Sequence, residues 1–158
     1  MDTATVKQLK TELEALDRSE LIPIVLRLSK FKKENKELLT YLLFESDDEQ
    51  NYIQEIKHEV DEQFAKINVT SFFYIKKSVR KILKTVKTYI RYSHVKETEV
   101  ELLLYFCKKL KSMSPSITRN QQLLNLFIRE LKLVERKIAS LHEDLQYDYL
   151  QLIENLKQ

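Results

Sequence analysis

The chain of 158 residues has no glycine at all, only two prolines and a single cysteine. Ordinary usage would put roughly 11 glycines in a chain of this length. Glycine is the usual residue for positive-φ turns, tight hairpins and close backbone approach to phosphate. Its absence argues against a β-sandwich, a P-loop or a dinucleotide-binding fingerprint. Turning must fall to Ser, Asp, Asn and the two prolines, Pro23 and Pro115. Cys107 has no second cysteine to pair with, and it follows the apolar run Leu102 to Phe106, so it reads as a buried, inert thiol. Long uncharged runs are missing as well. Nothing approaches the ~20 apolar residues needed to cross a bilayer, and the opening MDTATVKQLK has no signal-peptide core. The expectation is a soluble, cytoplasmic chain with no membrane contact.

What is present is helical periodicity. Apolar residues recur every three or four positions almost throughout, with no sustained alternation of the kind a strand needs. The fold expected is all-α, an irregular helical bundle or short solenoid-like array of seven or eight helices. It reads as a single domain over residues 1–158, with possible sub-parts at 1–45, 46–113 and 117–158. Val6, Leu9, Leu13 and Leu16 form a first stripe, and the pattern restarts after a cap at Asp17 or Ser19. Pro23 is tolerable in the first turn of that second helix, which favours a start near Ser19. A third helix runs from about Glu34 to Phe44. Ser46 and Glu49 have capping-box spacing ahead of a fourth, acidic helix. Further on, KETEVE opens a helix that ends in Lys108, Lys109 and Lys111, with charges that complement the macrodipole at both ends. From Leu124 the spacing becomes regular through Phe127, Leu131, Val134, Ile138, Leu141 and Leu145, a heptad-like seam with one stutter beyond it. Either a single helix of about 40 residues or two helices broken near Ser140 would fit, and the break is favoured because a ~60 Å rod would outrun a small globule. The seam is a candidate for self-association.

Charge is distributed unevenly. Residues 1–62 carry nine bases and fifteen acids, residues 63–96 nine bases and no acid, and residues 97–158 nine of each. Stepping 100° per residue from Ile75 gathers Val79, Ile82, Leu83, Val86, Tyr89 and Ile90 in an arc of about 120°. Lys76, Lys77, Arg80, Lys81, Lys84, Lys87 and Arg91 fill a separate arc of about 140°. Like charges four apart cost a few tenths of a kcal/mol each, so something must offset this stripe. One possibility is internal: the acidic helix just before it, with Asp48, Glu49, Glu55, Glu59, Asp61 and Glu62, could neutralise the stripe from an antiparallel packing. The other is external: an acidic protein, RNA or DNA, for which Tyr74 and Tyr92 could offer stacking. Nucleic acid is possible but not favoured over an unknown protein partner or self.

Catalytic constellations are not visible. His58, His94 and His142 fall on different segments, and the one Glu-x-x-His, Glu55 to His58, lacks the second copy that a dimetal bundle requires. No catalytic residue, metal ligand or cofactor is assigned, and the reading is non-enzymatic; a site assembled from distant residues is the remaining enzymatic alternative.

The stretch LKTELEALDRSELIPIVLRLSKFKKENKELLTYLL resembles the opening of a family of short, all-helical bacterial proteins of unknown function, and the likeness extends through EVELLLYF and YLQLIENL. The chain departs from that pattern in its basic middle helix and its lack of glycine. The resemblance implies a helical bacterial protein and supplies no activity. VKQLKTELEALDRSELIPIVLRL also resembles the two-helix SAP motif, but lacks that motif's loop glycine and basic character. The function expected is that of an interaction or adaptor protein, with polyanion binding as the alternative.

Overall fold

The computed structural model describes residues 1–157, and among them every regular element is helical. The chain divides into two compact units, Met1–Phe44 and the residues from Glu45 on.

The first unit holds α1 (Val6–Glu14), α2 (Arg18–Phe31) and α3 (Lys33–Thr40). Thr5 caps α1 and Asp17 caps α2, each in a reciprocal capping box, with Gln8 and Glu20 respectively. Because Asp17 takes the cap, Pro23 lies in the second turn of α2, not the first. It forgoes a backbone bond there and the helix continues through it. Extended backbone at Lys32 separates α2 from α3, and Asn35 Nδ2 donates to the Leu28 carbonyl at 2.8 Å to tie them. A π-helical turn, Tyr41–Glu45, replaces the end of the expected third helix. Of residues 1–44, only Tyr41 is buried.

The second unit holds α4 (Glu49–Ala65), α5 (Phe72–Ser93), α6 (Lys96–Ser112), α7 (Gln121–Ile138) and α8 (Glu143–Lys157). Asp48, not Ser46, takes the cap of α4, accepting from the Asn51 amide at 3.0 Å. With no glycine available, His94 takes the left-handed position that ends α5, at φ 57°. Few residues other than glycine and asparagine adopt that conformation. Helix α6 is the hub, packing against α4, α5, α7 and α8. Val100, Phe106, Cys107 and Leu110 on it have no exposure at all, and the Phe106 ring lies 5.8 Å from that of Phe64. Burial first, and then the charge of Glu130, push the Cys107 thiol up to about 12.

The Leu124–Leu145 seam resolves into two helices, parted at residues 139–142. Ser140 does not cap α8; its hydroxyl turns back to the Lys137 carbonyl at 2.8 Å. Of the residues of the candidate self-association seam, Phe127, Leu131, Val134 and Ile138 are buried within this one chain, and Leu124, Leu141 and Leu145 are half-buried. Heptad-like spacing here packs the core of the bundle.

A cavity of about 670 Å³ lies between α6 and α8. Two of its lining tyrosines carry a pH signature. Tyr105 is pushed up to about 12 by burial and by its hydrogen bond to Asp61. Tyr149 reaches about 12 through burial, then through the nearby Glu101 and Glu97. A phenol near 10 in the unfolded chain and near 12 in the fold contributes stability that is full below pH 10 and is lost as pH rises toward 12. Melting temperature should therefore fall between pH 10 and 12 more steeply in the wild type than in Tyr105→Phe/Tyr149→Phe. Parallel pH profiles from scanning calorimetry would refute this.

Candidate functional site

The basic helix folds as its pattern predicts on the apolar side. Ile75, Val79 and Val86 have no exposure, and Ile82 and Leu83 retain 2% and 6%. The acids of α4 do not neutralise the opposite side. Asp61 meets Lys109 Nζ at 2.9 Å and accepts from the Tyr105 hydroxyl at 2.7 Å. Burial alone would raise its carboxyl, but the hydrogen bonds from Lys109 and Tyr105 outweigh that and hold it below the usual range. Glu59 accepts from Tyr89, Glu55 from Asn51, and Glu62 faces His58 and Lys66 on its own helix. Even the lysine of α4, Lys57, turns to Glu101 of α6 at 2.5 Å. Among the described residues no carboxylate of α4 forms an ion pair with the α5 stripe: Asp61 turns to α6, Glu59 reaches α5 only at the Tyr89 hydroxyl, and Glu49 is shared by Ser93 and Thr98.

What faces the stripe is α7. Helices α5 and α7 both rest on α6, and a groove of about 620 Å³ opens between them. Arg80, Lys84, Lys87 and Arg91 line it from α5 and Arg129 lines it from α7. Its apolar lining includes Leu83 and Ile90 of α5, Leu103 of α6, and Leu126 and Leu133 of α7. Lys76 Nζ and Arg80 Nη2 both reach the Gln122 amide oxygen of α7, at 3.1 and 3.3 Å. Arg91 Nη2 donates to the Thr88 hydroxyl of its own helix at 3.3 Å. Lys77 and Lys81 are exposed and lie outside the groove. Among the described residues, no carboxylate comes within ion-pair distance of Lys77, Arg80, Lys81, Lys84 or Arg91.

Two carboxylates do belong to this region. Glu99 lines the groove but is held by Lys137 at 3.0 Å. Glu130 is 1% exposed, the one buried charge of the bundle among the described residues. Its Oε1 accepts from Arg129 Nε at 3.0 Å. Its Oε2 lies 2.6 Å from Lys87 Nζ without the alignment of a hydrogen bond, a close ion pair in an otherwise dry setting. Sequence reading missed Glu130 and Arg129. The signal was there: Glu130 stands three residues after Phe127 and four before Val134, so a charge sits on the core face of α7.

Stacking platforms are scarce. Tyr92, considered for that role, is buried at 8% beside Tyr89. Tyr74 is exposed and meets Phe73 edge-on, but neither ring lines the groove. The histidines stay apart: His58 faces Glu62, His142 faces Asp144, and His94 ends α5. Among the described residues no three His, Cys, Asp or Glu side chains gather where they could hold a metal ion, and no helix is long and apolar enough to cross a membrane. Comparison with protein-family models, curated proteins and solved structures finds no match, so the reading of the groove rests on its own geometry.

Proposed function

We propose that this protein is an interaction module whose α5–α7 groove takes an acidic, amphipathic helix from a protein partner. One observation carries the reading: five cations surround an apolar floor, and three of them, Arg80, Lys84 and Arg91, have no carboxylate within ion-pair distance among the described residues. Helix-in-groove recognition needs that combination, with the floor accepting leucine-like anchors while the rim answers acids on the helix edges. From Lys76 to Arg91 the stripe runs roughly 22 Å, enough for about four turns of a docked helix. A nucleic-acid strand is the weaker candidate. Phosphates gain nothing from a leucine floor, and no exposed ring lines the groove for a base to stack on.

The test is fluorescence anisotropy with a labelled Glu/Leu amphipathic helical peptide of about 18 residues. A scrambled peptide of the same composition, mixed-sequence RNA and duplex DNA serve as comparisons. The amphipathic peptide should bind best, weaken with salt, and lose at least about tenfold affinity, some 1.4 kcal/mol, in Arg80→Glu/Lys84→Glu. Equal binding of the scrambled peptide, tighter binding of RNA or DNA at the same salt, or no binding at low salt would each overturn the assignment.

A further inference from the structure

Helix α2 is apolar over more than half of its circumference. At 100° per residue Ile22, Leu26, Val25, Ile24, Leu28 and Phe31 spread over an arc of about 220°. An apolar stripe that wide ordinarily faces a core. Yet α1, α2 and α3 hold no buried residue between them. Exposure reaches 51% at Ile22, 57% at Leu28 and 77% at Phe31. Val6 on α1 is 84% exposed, and Leu43 and Phe44 at the end of the unit are 63% and 76%.

Thirteen large apolar residues of this unit, Met1 included, are open in this way. At roughly 150–200 Å² for a fully free residue of such size they present on the order of 1,000 Å². A stable interface takes about 800 Å² from each partner. Summed over the sides of three helices, the open apolar surface of the unit is of that order, while the unit has no core of its own, and 44 residues without a core fall short of independent stability.

We infer that Met1–Phe44 is a self-association module, and that what covers α1 and α2 is the same unit of a second copy. Charge selects that occupant. Residues 1–44 carry eight bases and seven acids, interspersed along all three helices. An isologous interface sets each patch against itself, so a surface of one sign would repel its copy, while mixed signs can pair across the two-fold. A strongly charged partner would find no complementary field here. The inference stands apart from the groove reading, because it uses none of the same residues.

Sedimentation velocity on the full chain tests it. The chain mass is 19.0 kDa, and a species of twice that mass should dominate at tens of micromolar. Leu28→Glu/Phe31→Glu places acids at exposed positions and should shift the protein to monomer, with any loss of helical circular dichroism confined to the share of α1, α2 and α3. It should also leave peptide binding in the groove intact, and Arg80→Glu/Lys84→Glu should leave the dimer intact. Wild-type hydrogen exchange gives a readout with no substitution: dilution should deprotect amides of residues 1–44 and spare those of the second unit. A wild-type monomer at about 100 µM, a dimer that survives the double substitution, or exchange in residues 1–44 that ignores concentration would each sink the inference.

Discussion

Replacing Phe106 by alanine should remove most of the folding stability of the second unit. The ring is wholly buried on α6, the helix that α4, α5, α7 and α8 all pack against, and it touches Phe64 of α4. Truncating a buried phenylalanine forfeits its transfer free energy and leaves a cavity that a well-connected site cannot close. The usual sum is about 3–5 kcal/mol. Against a total of about 5–15 kcal/mol, the loss brings the fold near its limit. Urea unfolding followed by circular dichroism should show a markedly lower midpoint with an unchanged slope. Phe106→Leu keeps most of the volume and should cost about 1 kcal/mol. A midpoint for Phe106→Ala within experimental error of the wild type would mean that α6 is not the hub of the packing.

The helical character of the chain was legible because the spacing of its apolar residues has one meaning over long stretches. Both faces of α5 and the ends of α6 follow directly from residue type, since Ile75, Val79 and Val86 recur on one line and the charges of α6 favour its two termini. Cap identity was harder to read. Ser46 and Asp48 are two residues apart and both can accept from a helix N-terminus, so the choice depends on the entering chain, not on side-chain chemistry. Partner choice among charges was beyond a linear reading. Helix α4 packs against both α5 and α6, and which of them meets Asp61 depends on a rotation about the α4 axis that its own residues leave open. For the same reason a seam at Leu131 and Val134 reads identically whether its holes lie in the same chain or in another. The apolar residues of α2 pose the reverse difficulty: they have the composition of a core while none is buried.

Glu130 connects the stability of the bundle to the proposed role of its groove. Its carboxylate is buried, whereas the side chain of Lys87 is 42% exposed. The two ends of this ion pair should therefore respond unequally to removal. Taking away Lys87 strands a charge in a dry interior, with Arg129, itself 67% exposed, as the remaining counter-ion. Stranding a buried charge costs about 3–5 kcal/mol, and the low end suits a pair with one partly solvated member. Taking away Glu130 instead frees Lys87 to turn to water, and an apolar replacement of similar length fills the site. Lys87→Met should thus destabilise by about 3 kcal/mol, while Glu130→Met should be neutral or mildly stabilising and Lys87→Met/Glu130→Met should recover most of the loss. Chemical denaturation of the three variants measures each value, and equal losses from both single substitutions would show the pair to be an ordinary surface contact. The same asymmetry bears on binding. A lysine already committed to Glu130 brings little free charge to an acidic helix, so in the groove assay Lys87→Met should weaken peptide binding far less than Arg80→Glu/Lys84→Glu. Glu130→Met, by releasing Lys87 toward the groove, should strengthen it.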